Sequence, residues 1–350
     1  MEFKEKIFIS IRTVAFILIL LFLYTRLAYI SRQPIAHTTG NLSGFYALEH
    51  NSLDVCFVGT SGTFSAFAPM DAWREYGFAS YNFCINVMGA DTMKYAVREV
   101  RKTQKKAVIV IDIYPFVIHH LMRKRTGMEE YAVRYNTDGY KYSLNRLALL
   151  WNHLPDDVNK ISYYFDLLKY HGDTINLSRI NFSSHSVIKG YNNLPWGNAS
   201  PAIMTDDVKK LEDDFDEALN ELVEYCKSIR SKVKILFLYY PYGNVREDSL
   251  EYVNYIQQRI SKDFPFLNCE DFVDAFDFDY SLDFWNDAHW NIFGAEKITK
   301  VIGSRLKDMY GFSDKRKDKR YAKWNADLTE WNNYVAYSKS EILRQKNEAE

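Results

Sequence analysis

A serine, a histidine and an aspartate in this 350-residue sequence stand in settings that suit nucleophilic catalysis. Ser61 follows the short apolar segment 54–58 and lies between small residues, where the chain must turn before a helix. Asp287 lies two residues before His289, ahead of another helical segment. A serine hydroxyl is a poor nucleophile until a neighbouring base removes its proton, and that base needs a third group to orient it. The sequence therefore predicts a Ser61-His289-Asp287 triad for attack on an acyl carbonyl.

Each of these residues also has a structural role open to it. Serine is a preferred helix N-cap, so Ser61 could cap the helix that follows it. Asp287 could be a turn residue, and His289 an ordinary half-buried histidine.

Strands and helices that alternate along the chain must position these residues. The predicted strands are 54–58, 79–83, 107–113, 233–239 and 266–269, and the predicted helices are 70–76, 92–104, 206–228, 249–261 and 295–309. This alternation predicts an α/β domain over residues 54–312, with a five-stranded parallel sheet and right-handed crossovers in three α/β/α layers. Five residues would then meet at the sheet edge where such domains hold ligands: Ser61, Gly89, Asp112, Tyr242 and His289.

The segment 7–30 is apolar and reaches bilayer length, which predicts a transmembrane helix. Lys4, Lys6 and Arg12 precede its apolar core and predict a cytoplasmic amino terminus. Because no small-x-small cleavage site follows, we expect an uncleaved signal anchor rather than a signal peptide. The rest of the chain is then expected outside the cytoplasm.

Three segments fall outside the alternating pattern. The polar residues 31–53 predict a linker from the membrane, and 117–205 predicts a mostly helical insertion over the crevice, in the manner of a lid. Residues 313–350 are charged and carry Trp324 and Trp331, which fits either a helix along the domain or the membrane surface, or a solvated tail.

Composition excludes several classes of protein. With 44 Lys and Arg against 45 Asp and Glu, the chain lacks the basic surface expected of a general nucleic-acid binder. Its four cysteines form no CxxC motif and are expected to be buried free thiols, although a single Cys56–Cys84 bridge stays open. His119-His120 has no partner spacing for a metal, and Arg123-Lys-Arg125 is typical of a solvated basic turn. No metal or cofactor is expected.

The motifs around the predicted triad resemble those of the SGNH (GDSL-like) hydrolase superfamily. DVCFVGTSGTFSAFAP, followed by WREYGFASYNF, is similar to its opening block, AVIVIDIYPF to its third block and DAHWNIFGAEKIT to its last. The likeness is strongest to membrane-anchored extracytoplasmic members encoded beside membrane-bound O-acyltransferases, such as alginate O-acetyltransferases and the accessory proteins of teichoic acid D-alanylation. Two departures are Thr60 in place of the usual Asp and the absence of Gly-x-Asn beside Asp112. Many SGNH hydrolases have Asp-x-x-His rather than Asp-x-His; with that spacing Asn286 would hold the place of the acid, and an amide orients an imidazole without stabilising its positive charge.

The resemblance implies a flavodoxin-like fold and an extracytoplasmic enzyme that transfers O-acetyl or other O-acyl groups to a cell-surface glycan or teichoic-type wall polymer. A membrane-bound O-acyltransferase is the implied partner, at the cell membrane. The backbone N–H groups of Ser61 and Gly89 would form the oxyanion hole. Other residues beside the strand ends are candidates for substrate binding: Thr60, Asp112, Tyr114, Tyr242 and Trp290. The alternatives are a non-catalytic scaffold that guides substrate to the acyltransferase, and a secreted carbohydrate esterase.

Overall fold

The central element of the protein is a five-stranded parallel sheet. The structure is a computed structural model and describes residues 3–32, 38–124, 129–172, 175–200, 211–242 and 247–349. The strands are β1 (Val55–Gly59), β2 (Ser80–Cys84), β3 (Val108–Asp112), β4 (Ile235–Tyr239) and β5 (Phe266–Asn268). The first four strands are buried throughout, as expected of apolar runs in a parallel sheet that is covered on both faces. The α/β class and the five-stranded parallel sheet predicted from the sequence are confirmed.

The strand order is β2-β1-β3-β4-β5, the doubly wound order of flavodoxin-like sheets. The chain crosses from β1 to β2 in one direction and then returns past β1 to β3 in the other. Right-handed crossovers therefore put the helices of these two connections on opposite faces of the sheet. The switch point lies between β1 and β3, where Val58 pairs with Ile111 in register. Ligands of open α/β sheets bind at such a point, just past the strand ends.

Helices form the layers on the two faces and the parts outside the sheet. They are α1 (Phe3–Ser31), α2 (Thr38–Phe45), α3 (Ser61–Ala66), α4 (Pro69–Tyr76), α5 (Met93–Thr103), α6 (Tyr114–Val117), α7 (Glu129–Thr137), α8 (Leu144–His153), α9 (Lys160–Tyr164), α10 (Asp166–Tyr170), α11 (Asp213–Ile229), α12 (Glu247–Ile260), α13 (Ile292–Tyr310) and α14 (Ala322–Ala349). Helix α4 contacts α13 and α14, whereas α5 contacts α8 and α11, which gives the two outer layers. Residues 206–210 of the helix predicted over 206–228 lie outside the described residues.

The apolar segment near the amino terminus forms α1, a helix of 29 residues that is long and apolar enough to cross a membrane. Most of its length is exposed, but its last turn is buried against the rest of the protein. Arg32, just past its end, is buried in an ion pair with Asp166, which also pairs with Arg146 at 3.0 Å.

The segment predicted as a linker is instead packed onto the domain. Its residues 33–37 lie outside the described part of the chain, but α2 follows them and contacts β2. Leu42 and Phe45 are in the hydrophobic core, and the Phe45 ring packs on Phe83 with the ring centroids 4.9 Å apart. These two side chains attach the segment to the sheet together with the hydroxyl of Tyr81, which donates to the carbonyl of Asn41 at 2.7 Å.

The insertion contains the helices α7, α8, α9 and α10, separated by turns and irregular chain, in its described residues; 125–128, 173–174 and 201–205 lie outside them. Its helix α10 contacts α1, and α8 contacts α5. One part that reaches the sheet edge is the irregular segment 191–200, where the N–H of Asn192 donates to the carbonyl of Phe64 at 3.1 Å. Helix α7 reaches it as well, since Asn136 donates to the carbonyl of Val87 at 3.1 Å.

The charged carboxyl-terminal segment is a continuous helix that packs on the domain. Trp331 of α14 is fully buried, and its indole N–H donates to Asp71 of α4 at 2.8 Å. Trp324 packs on Trp73, with the ring centroids 5.3 Å apart. The two tryptophans thus place residues 322–349 in the same folded unit as residues 54–312.

The four cysteines, Cys56, Cys84, Cys226 and Cys269, are all buried and free. The bridge that the sequence left open between the first two does not form.

Candidate active site

Ser61 is the first residue of α3 and directly follows the turn after β1. Thr60 occupies the N-cap position, and no side-chain cap hydrogen bond is made there. The hydroxyl of Ser61 is therefore not a helix cap, and its side chain is partly exposed at the switch point of the sheet. The first N–H groups of a helix have no intrahelical acceptor, so α3 presents those of Ser61 and Gly62 at the same end.

The hydroxyl of Ser61 and the imidazole of His289 meet at this edge. Ser61 Oγ lies 2.8 Å from His289 Nε2, although the two residues are 228 positions apart. His289 opens the two-residue strand β7 (His289–Trp290), which pairs antiparallel with β6 (Phe284–Asn286). The distance is that of a hydrogen bond between a nucleophile and its base.

The residue that orients His289 is Asn286, and the prediction of Asp287 for this role is wrong. Asn286 Oδ1 lies 2.8 Å from His289 Nδ1. In the hairpin register Asn286 pairs with His289, and directly paired residues of two antiparallel strands present their side chains on the same face. Asp287 lies in the turn, and its carboxylate instead accepts the N–H of Ser200 at 3.1 Å.

The tautomer of His289 follows from the contacts of Asn286. Oδ1 of Asn286 also accepts the backbone N–H of Ala288 at 2.9 Å, and because that group can only donate, the amide oxygen must face it. The Nδ1 atom next to this oxygen must then carry the proton. Nε2 of His289 is left with a lone pair toward Ser61, which is the form a general base requires.

Burial lowers the pKa of His289 from its ordinary value to about 4. Desolvation is the cause, since it disfavours the charged imidazolium. At neutral pH the ring is therefore uncharged and available as a base. Asn286 carries no charge, so it does not offset the desolvation as a carboxylate would.

A buried carboxylate contacts α3, the helix that begins at Ser61. Asp112 ends β3 and accepts hydrogen bonds from the hydroxyls of Thr63 and Tyr242, at 2.7 Å and 2.9 Å, and from the N–H of Tyr114 at 3.0 Å. Burial raises the pKa of Asp112 to about 6, against the opposing effect of these three donors. Asp112 thus ties α3 to the segments that follow β3 and β4.

Aromatic rings pack against the start of α3. The rings of Tyr242 and Tyr114 stack with their centroids 3.9 Å apart, and Trp290 packs on Tyr242 at 5.0 Å. A Cβ atom at Gly62 would lie 2.7 Å from the Tyr242 hydroxyl oxygen, so only glycine lets this ring come so close.

Most of the residues predicted to bind substrate support the site instead of lining it. Their exposed fractions are 2% or less in Thr60, Asp112, Tyr242 and Trp290. Tyr114 is partly exposed. The sequence analysis missed Trp285, whose ring is 40% exposed and lies 5.3 Å from that of His289. Its place four residues before the histidine, in a strand paired with it, was the available signal.

Gly89 does not offer its N–H to the crevice, so its predicted place in the oxyanion hole is wrong. The N–H of Gly89 donates to Asn136 Oδ1 at 3.1 Å, and the same oxygen accepts the hydroxyl of Thr92 at 2.9 Å. A Cβ atom at Gly89 would lie 2.7 Å from the backbone nitrogen of Met122. Glycine is needed here for contact with another part of the chain rather than with a substrate.

The remaining sequence candidates have structural partners. The ring of His119 packs on Phe215 and Tyr252, and Arg123 pairs with Asp214 and Glu217, each at 3.2 Å. Arg125 lies outside the described residues. Within the part of the chain that the structure describes, no group of three His, Cys, Asp or Glu side chains could hold a metal ion.

Comparison with known proteins identifies no relative: no protein-family model, curated protein or solved structure matches the chain.

Proposed function

We propose that the protein is an SGNH-type serine enzyme that transfers acyl groups. The observation that supports this most directly is the hydrogen-bonded series from Ser61 Oγ to His289 Nε2 and from His289 Nδ1 to Asn286 Oδ1, each 2.8 Å long. The flavodoxin-like strand order and the position of the serine at the β1–β3 switch point support the same proposal. Ser-His-Asp triads and Cys-His-Asn triads serve nucleophilic acyl chemistry in unrelated folds.

In the proposed reaction, Ser61 Oγ attacks the acyl carbonyl while its proton passes to His289 Nε2. The N–H groups of Ser61 and Gly62 at the start of α3 stabilise the oxyanion. Collapse of the tetrahedral intermediate breaks the bond to the donor's leaving group, which takes the proton from His289. An acceptor hydroxyl then gives its proton to His289 Nε2 and attacks the acyl-serine. When this second tetrahedral intermediate collapses, the bond to Ser61 Oγ breaks, His289 returns the proton to Oγ, and the O-acylated product leaves. Water in place of the acceptor gives hydrolysis.

We assign the reaction to the extracytoplasmic side of the cell membrane. Helix α1 has the length and composition of a single span, and the basic residues Lys4 and Lys6 at its start favour a cytoplasmic amino terminus. Burial of Ala28–Ser31 against the domain supports an uncleaved anchor, because these residues contribute to packing. A membrane-bound O-acyltransferase would supply acyl groups, and a surface glycan or teichoic-type polymer would accept them.

The decisive experiment is labelling of the full chain with a fluorophosphonate, which modifies only an activated serine. We expect labelling of the wild type and of Ser340→Ala, which alters an exposed serine on α14. Ser61→Ala should abolish labelling, and His289→Ala should reduce it strongly. Loss of Ser61 should also lower esterase or transferase turnover on the order of 10³-fold or more. Equal turnover in Ser61→Ala and wild type would overturn the proposal.

A second candidate is a non-catalytic scaffold for the acyltransferase, and the engaged N–H of Gly89 is the observation that favours it. A scaffold would not be labelled by the fluorophosphonate, yet acylation of the polymer in cells would survive Ser61→Ala. A secreted carbohydrate esterase would instead be labelled and would hydrolyse small acetyl esters with no acceptor preference.

A further inference from the structure

The insertion leaves an apolar stripe exposed on α8. Leu144, Leu147 and Trp151 recur at positions i, i+3 and i+7, so they share one face of the helix. Leu144 is 84% exposed and Trp151 is 78% exposed. Large contiguous apolar surfaces of this kind are rare on water-facing proteins and mark sites of contact with a protein or a membrane.

The exposed apolar surface continues on α9 and α10. Ile161, Phe165 and Leu168 are each more than half exposed. The Phe165 ring packs edge-on against Tyr24 of α1, with the centroids 6.4 Å apart. Tyr142, two residues before α8, lies 6.0 Å from the same Tyr24 ring.

A third part of this surface lies around the short 3-10 turn Leu177–Arg179. Ile175, Leu177 and Ile180 are all exposed there. This turn is also attached to α1, since the N–H of Asn176 donates to the carbonyl of Ile30 at 2.8 Å. We call the exposed apolar side chains of α8, of residues 160–170 and of residues 175–180 the apolar collar.

The collar contacts α1 near the carboxyl end of that helix. About 20 helical residues, at 1.5 Å each, cross the roughly 30 Å hydrocarbon core of a bilayer. Counted from Ile7, that length ends near Arg26, whose guanidinium donates to the carbonyl of Ile180 at 3.1 Å. The buried pairing of Arg32 with Asp166 holds α10 beside the end of α1. The collar therefore lies where the hydrocarbon core would give way to the outer headgroup layer.

We propose that the apolar collar is embedded in the outer interfacial layer of the bilayer that α1 spans. This inference rests on the membrane span of the proposed function and goes beyond the reaction. The bilayer is favoured over a protein partner because lipid around α1 reaches the collar without any further component. Trp151 of the collar suits the interfacial layer, since tryptophan, like tyrosine, has an amphipathic ring. The domain is then supported on lipid by the insertion as well as tethered by its anchor.

Site-directed nitroxide labelling of the full chain in phosphatidylcholine vesicles tests the proposal. The four native cysteines are buried, so single introduced cysteines can be labelled selectively. Leu144→Cys and Leu168→Cys report on the collar, Leu18→Cys reports on α1, and Leu343→Cys is the matched exposed leucine on α14. Each label's accessibility to oxygen, which concentrates in lipid, is compared with its accessibility to a water-soluble nickel chelate.

We expect the ratio of oxygen to nickel accessibility at positions 144 and 168 to be several-fold higher than at 343 and to approach the ratio at 18. If the label at position 18 gives a lipid-like ratio while the labels at 144 and 168 give the ratio found at 343, the collar faces water and the proposal fails in favour of a protein partner. If the label at position 18 also gives the ratio found at 343, α1 does not span the membrane, and the proposed location of the enzyme is wrong as well.

Discussion

Asn286 Oδ1 lies 2.8 Å from Nδ1 of His289, on the side of the ring away from Ser61, and the N–H of Ala288 holds the amide oxygen in place. An aspartate in this position would both orient the imidazole and stabilise its positive charge. The amide orients the ring only. The site therefore separates two effects that a carboxylate combines, and substitutions at Asn286 can test each of them.

The orienting role predicts unequal effects of two adjacent substitutions. Asn286→Ala removes the acceptor that fixes the tautomer of His289, so we expect turnover of an ester substrate to fall on the order of 10²-fold or more. Asp287→Ala, which loses only a hydrogen bond to Ser200, should change turnover by a few-fold at most. Steady-state kinetics on both variants gives the comparison. The reverse order of effects would restore Asp287 as the orienting group.

A charge placed at the same position should shift the pH profile. Asn286→Asp puts a carboxylate beside His289, which favours the imidazolium and should raise the pKa of His289 from about 4 by roughly 1–3 units. The base works only when neutral, so the fall of kcat/KM on the acid side should move to higher pH. Asp287→Asn is the control and should leave that fall near pH 4. An unchanged profile in Asn286→Asp would show that His289 does not limit the rate at low pH.

The close approach of Tyr242 to α3 predicts that Gly62→Ala disturbs the site. The added Cβ would lie 2.7 Å from the Tyr242 hydroxyl oxygen, which is buried and bonded to Asp112. Overpacking of this kind costs about 1–3 kcal/mol, and we expect turnover to fall at least tenfold as α3 shifts. Gly172→Ala, where a Cβ meets nothing within 4 Å, should leave turnover unchanged. Equal turnover in both variants would show that the Tyr242 ring moves to make room for the added methyl group without displacing Ser61.

Asp112 predicts a pH-dependent difference in stability. Its folded-state pKa is raised to about 6, above an unfolded value near 4, so the folded state holds the extra proton between these values. The stabilisation from that proton is complete below pH 4 and is lost as the pH rises through 6. The free energy of unfolding of wild type minus that of Asp112→Asn should therefore fall by about 2–3 kcal/mol from pH 4 to pH 7. Urea unfolding of the full chain in detergent measures it, and a flat difference would contradict the assignment.

The packing of α14 predicts a large loss of stability in Trp331→Ala. The indole is fully buried and bonded to Asp71, and removing such a side chain costs about 3–5 kcal/mol. Tyr337→Ala on the same helix removes a ring that is 66% exposed and should cost about 0.5 kcal/mol or less. Thermal unfolding monitored by circular dichroism compares the two. Similar midpoints would mean that α14 packs too weakly to contribute.

The sheet could be predicted from the sequence because β1, β3 and β4 are short, largely apolar runs between turn residues and helical segments. Ser61 follows β1, as the sequence predicted, but His289 lies in the separate hairpin β6–β7 rather than after a strand of the parallel sheet, so its pairing with Ser61 rested on residue types and not on a strand end. The choice between Asn286 and Asp287 could not be predicted, because it depends on the register of a hairpin only two to three residues long per strand. Sequence spacing alone does not show which side chain shares a face with the histidine.

The segments outside the sheet were predicted less well for a different reason. Residues 38–45 and 322–349 are rich in polar side chains, and a few buried apolar ones, such as Phe45 and Trp331, decide where they pack. Composition averages over such residues and so indicates a linker or a tail. The hydrogen bond that engages the N–H of Gly89 could not be predicted either, because its acceptor, Asn136, comes from a distant part of the chain.

The position of α14 has a consequence for how the protein is made. Gln345 of α14 accepts the N–H of Trp196 at 2.9 Å, and Asp327 accepts from His185 at the same distance, so this helix holds the segment that bridges to the hairpin bearing His289 through Gly197 and Phe284. Along the chain, Ser61 precedes His289 by 228 positions, and α14 follows both. The hydroxyl and the imidazole therefore meet only after residue 289 has been synthesised, and the segment 185–196 is held by a helix that is made later still.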